Sequence, residues 1–294
     1  MSKLNRLEVD FLVIGAGIVG LNIALQIQKK FNGSRVAVIE KEKEIGLHAS
    51  GRNSGVLHSG VYYPSDTLKA EFTRKGNQEW RTYCNNKGIE VDSCGKLIVT
   101  SNSKDLDQLE ILQSRGIANK VEIHQLDEQQ TSEIEPHAKT FHKSLFIPST
   151  STANPLLLIN SIKNDFLNDG GILLNNCRYI KRLSDTKIKT TKNTIAYKKF
   201  INCAGLYADK IAHDFNLGKD YTIIPFKGLY LYGDDNAPKI NSHIYPVPNL
   251  DNPFLGVHVT RSIEGTTKIG PTAIPAFWRE NYSGIDNFSL RDLF

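Results

Sequence analysis

The hydrophobic pattern at the start of the chain changes its period twice within forty residues. Residues 9–14 are apolar except for Asp10, a pattern typical of a buried strand. Apolar side chains then recur at helical spacing from Leu21 to Phe31, and Gly33 follows where a helix would end. A second short apolar run covers residues 35–39. This order predicts one strand–helix–strand unit at the N-terminus.

Later segments predict further helices and strands. Helical spacing covers 68–84, and a second helix near 103–115 should end at Gly116. Pro155 suits the first position of a third helix, which the glycine pair at 170–171 should end. Predicted strands lie at 95–100, 121–126, 199–205 and at several places in 221–275. The Gly-, Ser-, His- and Asn-rich segment 46–60 favours a loop.

The first strand runs directly into a Gly-x-Gly-x-x-Gly string. Gly15 permits a tight turn, Gly17 lets the backbone approach a pyrophosphate, and Gly20 lets the helix pack closely on the sheet. The helix N-terminus offers amides and a positive dipole end to phosphates. Glu40, at the end of the second strand, is placed to accept hydrogen bonds from a ribose. In this context the string predicts dinucleotide binding.

The topology after Glu40 favours FAD over NAD. A second α/β unit does not follow directly, and another apolar strand ending in Ala204-Gly205 comes much later. This arrangement resembles the D-amino-acid oxidase-like superfamily, in which a substrate domain is inserted into an FAD-binding domain. The predicted fold is therefore α/β, a Rossmann-like FAD-binding domain with an inserted, mainly antiparallel β substrate domain. The FAD-binding domain is predicted to comprise 1–90, 151–220 and 276–294, and the substrate domain 91–150 and 221–275.

Several longer runs resemble the L-2-hydroxyglutarate oxidase/dehydrogenase family. The most extensive is Ala-Ser-Gly-Arg-Asn-Ser-Gly-Val-Leu-His-Ser-Gly-Val-Tyr-Tyr at 49–63. Similar stretches lie at 225–228, 243–248 and 254–261, with Gly-Pro-Thr at 270–272. The resemblance extends from residue 9 to about 294. It implies oxidation of a 2-hydroxy acid to a 2-oxo acid at FAD, with oxygen or a respiratory quinone receiving the electrons.

Hydride removal from C2 also requires a group that takes the hydroxyl proton, and histidine suits this role near neutral pH. His58 and His258 lie inside the family-like runs and are the candidate bases, although a hydrogen-bonding role is an equal alternative for each. The remaining histidines are predicted to be superficial or structural: His48, His124, His137, His142, His213 and His243.

A dicarboxylate substrate requires cationic and hydroxyl partners, and arginine matches a carboxylate with two parallel hydrogen bonds. The candidate substrate contacts are Lys227, Tyr245, Thr260 and Arg261. The candidate FAD contacts are Gly15, Gly17, Gly20, Glu40, Lys41, Ser50, Arg52, Asn53, Ser54, Gly55, Ala204 and Gly205. No metal ligand set is predicted.

Charge and composition bear on the partners and the location of the protein. The 36 basic and 31 acidic residues give a net charge of +5 that is spread along the chain, which disfavours nucleic-acid binding. The four cysteines form no Cys-x-x-Cys pair, as is usual for reduced thiols. Neither a signal peptide nor a membrane-length apolar run is visible. These features predict a cytoplasmic protein, and peripheral contact with the inner face of the plasma membrane stays open.

Two other functions fit the same pattern. One is an amine or amino-acid oxidase of the same fold, and the other is a non-catalytic FAD-binding remnant or subunit. The resemblance predicts a further glycine-rich return after the position of Phe294, where this sequence stops. We therefore expect a short homologue, a fragment or a chain completed by a partner segment, and weak FAD binding by the purified chain.

Overall fold

The computed structural model describes residues 6–249, 252, 254 and 256–292. The chain divides into two compact units, each built from separated stretches of sequence. Unit 1 comprises Met1–Asn53, Pro155–Pro225 and Pro275–Phe294, and unit 2 comprises Ser54–Asn154 and Phe226–Ile274. The predicted division differs from these units chiefly at 54–90, which the prediction placed in the FAD-binding domain and the structure places in unit 2.

Helices and strands alternate through most of the chain. The helices are α1 (Ile18–Lys30), α2 (Leu68–Lys87), α3 (Lys104–Ala118), α4 (Glu128–Ile134), α5 (Pro155–Asn168) and α6 (Ala208–Asp214), with 3₁₀ turns at Gly205–Tyr207 and Leu290–Asp292. The strands are β1 (Arg6–Ile14), β2 (Val36–Ile39), β3 (Val56–Leu57), β4 (Val91–Asp92), β5 (Lys96–Val99), β6 (His124–Leu126), β7 (Ser144–Ile147), β8 (Ser151–Ala153), β9 (Ile172–Leu174), β10 (Tyr179–Ser184), β11 (Lys187–Thr190), β12 (Thr194–Asn202), β13 (Phe226–Lys227), β14 (Leu231–Tyr232), β15 (His243–Pro246), β16 (His258–Arg261), β17 (Thr267–Gly270) and β18 (Ile274–Pro275).

Unit 1 is organised by a six-stranded sheet in the order β10-β11-β12-β1-β2-β9. The four strands from β12 to β9 are parallel, and β10 and β11 extend that sheet by antiparallel pairing. The inner strand β2, Val-Ala-Val-Ile, is a fully buried apolar run, as expected where both faces of a parallel sheet are covered. Because parallel strands end at the same edge, the sheet brings the residues after β1, β2 and β12 together.

Unit 2 contains a seven-stranded sheet in the order β14-β17-β16-β15-β5-β7-β6. All of its pairings are antiparallel except the parallel contact between β15 and β5. Leu109 and Leu112 of α3 pack with Ile98, Leu145 and Ile147 of the sheet to form an apolar core. A small antiparallel sheet, β3-β8-β4, lies in the same unit. The predicted fold class, with a Rossmann-like sheet and a mainly antiparallel one, is confirmed.

Two local predictions near α3 were wrong. Gly116 does not end the helix, because α3 continues to Ala118. A Cβ on Gly116 would lie 1.9 Å from Ile123 Cδ1, so the glycine instead permits Ile123 to pack closely against α3. The predicted strand at 121–126 begins only at His124. Val121 donates its amide to the Gly116 carbonyl at 2.9 Å and so closes the helix instead of joining the sheet.

None of the helices within the described residues is long and apolar enough to cross a membrane.

Candidate functional site

The glycine string forms a tight connection between β1 and α1 in unit 1. Gly15 has φ +98°, a conformation that favours glycine, and a Cβ there would lie 2.4 Å from the Cys203 carbonyl oxygen. A Cβ on Gly20 would lie 2.0 Å from the Gly15 carbonyl oxygen. The first and third glycines therefore permit the turn and the close approach of helix to sheet.

The N-terminus of α1 carries the features of an anion site. Gly17 is the N-cap residue, and no acidic side chain lies in the first turn, where it would neutralise the positive end of the helix dipole. Ser50 reaches this end of the helix, where its Oγ accepts a hydrogen bond from the Ile18 amide at 2.9 Å. A Cβ on Gly17 would lie 3.1 Å from that same oxygen, so the absence of a side chain keeps the approach open.

Glu40 ties the glycine turn to the end of β2. One carboxylate oxygen accepts the Ala16 amide at 3.0 Å, and the other accepts the Glu42 amide at 3.0 Å. The residue is 8% exposed. Since each carboxylate oxygen has two lone pairs, acceptor capacity remains for a ribose hydroxyl.

Other predicted FAD contacts surround this edge. Ala204 and Gly205 follow β12, which is hydrogen-bonded to β1. Asn53 caps the turn at 49–50 by donating to the Ala49 and Ser50 carbonyls. Arg52 lies over the Tyr282 ring with its guanidinium 4.2 Å from the ring centre. Ser54 and Gly55, also predicted FAD contacts, belong to unit 2, whereas the other residues of this paragraph belong to unit 1.

Lys41 belongs to a charged network that the sequence did not reveal. Its ammonium donates to Glu280 at 2.6 Å, pairs with Glu42, and lies 2.9 Å from His48 Nε2. Tyr207 donates to the same Glu280 carboxylate at 2.6 Å. Burial opposes ionisation of Glu280, but the Lys41 ammonium and the Tyr207 hydroxyl hold its pKa below the usual range. The network joins Lys41 to the segment after Pro275.

Arg279 in that same segment forms a buried ion pair with Asp209. Two guanidinium nitrogens donate to the two carboxylate oxygens at 2.7 Å each. Burial alone would raise the pKa of Asp209, but hydrogen bonds from Arg279 and from the Ile223 and Lys210 amides hold it well below its usual range. Both side chains are less than a tenth exposed. The pair anchors the segment 276–292 to α6.

These observations fit a bound dinucleotide of the FAD type. The helix N-terminus suits a pyrophosphate, and the acid at the end of β2 suits a ribose. The glycines leave the backbone exposed where side chains would otherwise stand. All of these groups lie in unit 1.

Unit 2 has a polar stripe on one face of its large sheet. His243 is paired with Lys96 across β15 and β5, and Ile244 with Val259 across β15 and β16. Because side chains alternate along a strand, these registers place a set of polar side chains on the face that also carries Ile98 and Leu145. The polar side chains of this set are all buried: Lys96, His243, Tyr245, His258 and Thr260. We call this set the polar face.

The loop after β3 adds His58 and Tyr62 to the polar face. The His58 and Tyr245 rings meet edge to face at 6.3 Å, and the Lys96 ammonium lies 4.3 Å from the centre of the Tyr62 ring. Asn119 holds the loop by donating to the carbonyls of Gly60 and Tyr63, at 3.0 and 2.8 Å. The family-like run at 49–63 thus contributes to both units.

The environment of His258 defines its tautomer. Its Nδ1 lies 2.8 Å from the Gly256 carbonyl oxygen, which accepts only from a protonated nitrogen. In the neutral ring Nε2 therefore carries the lone pair. Burial lowers the pKa of His258 below 6.5, an effect that the Gly256 carbonyl partly offsets and the nearby Lys96 charge adds to. The ring stacks on Tyr245 with centres 3.9 Å apart.

His58 and His243 are held neutral more strongly. Burial, with the charge of Lys96, lowers the pKa of each to about 3. The Arg261 amide donates to His243 Nδ1 at 3.1 Å, so the Nε2 proton of His243 points to Thr152 Oγ1 at 2.9 Å. His243 was predicted to be superficial or structural, and its bonds join β15 to β8 and β16.

The four predicted substrate residues do not all lie together. Tyr245 and Thr260 are on the polar face. Arg261 alternates to the opposite face, where its guanidinium pairs with Asp92 at 2.9 Å and donates to the Ile240 carbonyl at 3.2 Å. Lys227 lies on β13, outside the seven-stranded sheet.

Lys96 is the member of the polar face that sequence reasoning missed. It stands in an apolar strand, Lys-Leu-Ile-Val, and resembles the first residue of an ordinary sheet strand. Only the pairing of β5 with β15 shows that it adjoins His243. A lysine followed by a short apolar run is a frequent pattern, so no local signal could have identified it.

Comparisons with known proteins agree with this arrangement. A family model described as FAD dependent oxidoreductase matches residues 10–292. An L-2-hydroxyglutarate dehydrogenase of Escherichia coli is 35% identical over 96% of this chain and 68% of its own length. The mitochondrial L-2-hydroxyglutarate dehydrogenase of Mus musculus is 35% identical over 95% of this chain and 64% of its own. The chain thus spans about two thirds of the length of these relatives.

Solved structures show the same fold. L-α-glycerophosphate oxidase from Mycoplasma pneumoniae, with FAD bound, has a TM-score of 0.79 and 26% identity over 91% of this chain and 72% of its own. Glycine oxidase from Geobacillus kaustophilus has a TM-score of 0.78 at 18% identity, over 92% of this chain and 72% of its own, which supports the fold alone. The predicted choice of FAD and the predicted family resemblance are confirmed.

Proposed function

The chain belongs to the FAD dependent oxidoreductase family, and on that premise we propose that it oxidises L-2-hydroxyglutarate to the 2-oxo acid. The observation that carries the proposal is the polar face of unit 2, where a neutral histidine with a defined lone pair lies among buried hydroxyl and cationic groups. The names of the relatives support the choice of a 2-hydroxy acid with two carboxylates.

Unit 1 would hold the cofactor. The N-terminus of α1 and the turn at Gly15 and Gly17 would contact the pyrophosphate, and Glu40 the ribose. Ser50 and Asn53 shape the turn beside that helix end. When bound, FAD supplies the acceptor for the hydride that leaves C2 of the substrate.

His258 is the base in this proposal. Its Nε2 would accept the C2 hydroxyl proton, while the Gly256 carbonyl stabilises the resulting imidazolium through Nδ1. The stack on Tyr245 holds the plane of the ring. His58, with a pKa of about 3, is the weaker base, because proton transfer is most effective when the pKa of the base lies near the working pH. We assign His58 to hydrogen bonding.

Hydroxyl groups would orient the substrate. Tyr245 and Thr260 lie on the same face as His258, and Thr260 Oγ1 is buried without a hydrogen-bond partner among the described residues. Arg261 would act indirectly, since its guanidinium is held by Asp92 and its amide orients His243. Lys227 stays a candidate for the second carboxylate. Oxygen or a quinone would reoxidise the cofactor.

Anaerobic mixing of the FAD-loaded chain with single substrates tests the proposal. We expect L-2-hydroxyglutarate to bleach the flavin absorbance and the D isomer to leave it unchanged. Glycine, sarcosine, proline and the common amino acids serve as the matched panel for an amine oxidase. Bleaching by a member of that panel, or by neither isomer of 2-hydroxyglutarate, would contradict the proposal.

A further inference from the structure

Lys96 is a buried cation that lacks an anionic partner. Its side chain is 0% exposed. Within the described part of the chain, its ammonium pairs with no carboxylate and donates no hydrogen bond. Two aromatic rings provide its surroundings, with the ammonium 4.3 Å from the centre of Tyr62 and 5.2 Å from that of Tyr245. Cation–π contacts offset only part of the cost of desolvating an ammonium.

Three further polar atoms, on the polar face and in the loop that covers it, share this lack of a partner. They are His58 Nδ1, the Tyr62 hydroxyl and Thr260 Oγ1, all buried and without a hydrogen bond among the residues that the structure describes. Buried polar atoms in native proteins are almost always paired, so a group of four indicates a missing ligand or water. Hydroxyls and the ammonium can all donate, and the group contains one cation and no carboxylate. The ligand that matches these groups is an anion with several hydrogen-bond acceptor atoms.

Lys96 and Thr260 are fully buried, but His58 and Tyr62 are only partly buried as whole residues, with their polar atoms turned inward. The loop that carries His58 and Tyr62 also contains Gly60 at φ +94°, a conformation that favours glycine. A ligand would reach Lys96 only if the side chains of His58 and Tyr62 were displaced.

We propose that Lys96 is the charged anchor of a carboxylate subsite on the polar face, completed by Tyr62 and Thr260. The subsite deepens the proposed function, on which it rests, because a dicarboxylate substrate presents such a group. Arg261 does not bind this carboxylate, because its side chain lies on the opposite face of the sheet and pairs with Asp92. The carboxylate would accept a charge-assisted hydrogen bond from the ammonium, the strongest contact that this group of residues offers.

Proton uptake is a signature of this subsite. Burial lowers the pKa of the free Lys96 from 10.5 to about 7, so a fraction of the side chains is neutral near pH 7. The titratable groups that face it are His58 and Tyr62 from the loop, His243 and Tyr245 from β15, and His258 from β16. An anion beside the amine favours the protonated form, and the proton comes from the buffer. Binding should then take up a fraction of a proton near pH 7.

Calorimetric titration of the FAD-loaded protein with glutarate, an unreactive dicarboxylate, tests the proposal. Runs in buffers of different ionisation enthalpy give the proton uptake, and the neutral diamide of glutarate is the uncharged probe. We expect glutarate to bind with uptake of a proton fraction at pH 7, and the diamide to bind at least about tenfold more weakly.

The decisive variant is Lys96→Met, which keeps the length of the side chain and removes the charge. It should weaken glutarate binding at least about tenfold and abolish the proton uptake, while Lys139→Met, at an exposed lysine of unit 2, should change neither. Lys96→Arg should restore part of the affinity without the uptake. Methionine suits a buried site, so a folded variant is expected, and its melting temperature verifies this.

The results separate the two proposals. Unchanged glutarate affinity in folded Lys96→Met, or binding without proton uptake in the wild type, would overturn the subsite even if L-2-hydroxyglutarate reduces the flavin. Lys96-dependent glutarate binding without flavin reduction would instead overturn the proposed function and leave the subsite standing. If Lys96 contacts only a water molecule, glutarate affinity should be unchanged in folded Lys96→Met.

Discussion

Among the described residues, each unit buries one lysine or arginine side chain, and the two side chains have opposite environments. Arg279 in unit 1 meets Asp209 through two hydrogen bonds of 2.7 Å, so its charge is matched. Lys96 in unit 2 meets only aromatic rings and has no hydrogen-bond partner among the described residues. Removal of one member of a matched pair leaves the other charge buried alone, whereas an unmatched charge already carries that cost and is found at ligand-binding sites.

The largest expected change in stability comes from breaking the matched pair. Arg279→Ala leaves the Asp209 carboxylate buried without its main partner, and we expect the free energy of unfolding to fall by about 3–5 kcal/mol. Urea denaturation gives this value. Lys198→Ala, which removes a solvent-exposed partner of Asp10 in the same unit, should have little effect. Equal losses in the two variants would remove the distinction on which the comparison rests.

A smaller loss is expected from Gly20→Ala. Its Cβ would lie 2.0 Å from the Gly15 carbonyl oxygen, so α1 must move away from the sheet, at a cost of about 1–3 kcal/mol. The shift also displaces the helix N-terminus, and the ratio of flavin to protein absorbance should drop. Gly76→Ala in α2 is the control, because no atom lies within 4 Å of its added Cβ. Full flavin content in Gly20→Ala would show that the glycine turn does not hold the cofactor.

The smallest change should have the opposite sign. Lys96→Met removes an unmatched charge, and we expect it to raise the free energy of unfolding by about 1 kcal/mol at neutral pH. Because burial lowers the pKa of Lys96 from 10.5 to about 7, the unfolded chain binds this proton more tightly. The cost is complete below about pH 7 and disappears as the pH rises towards 10.5. Urea titrations at several pH values should show the gain shrinking over that window; a loss of stability at pH 7 would indicate a structural role for Lys96.

The two units also differ in how far their sequences revealed them. The glycine turn is contiguous, and each glycine meets a backbone atom or helix end that its spacing predicts. Glu40 follows because the end of β2 lies beside β1 in any such unit. The polar face is assembled from β5, β15, β16 and one loop, so it becomes visible only when the register is known. His258 was found through a family resemblance, and Lys96 had no such signal.

Some missed features had local signals. Asp127 and Gln130 form a reciprocal capping box at the start of α4, and the Asp-x-x-Gln spacing predicts such a cap. Arg279 and Asp209 are separated by 70 residues, and nothing local marks them as partners. Alternation along β16 separates Arg261 from Thr260, although they are neighbours in sequence. Long-range pairing and strand register therefore decide what sequence reasoning leaves open.

The rate of flavin reduction in His258→Asn tests the central claim most directly, that His258 is the base in the proposed oxidation. Asparagine keeps a donor for the Gly256 carbonyl and removes the lone pair of Nε2. At matched flavin occupancy, anaerobic reduction by L-2-hydroxyglutarate should slow by about 10²–10⁴-fold, as expected for loss of a general base, whereas His137→Asn at an exposed position should react like the wild type. An unchanged rate in fully loaded His258→Asn would contradict the account.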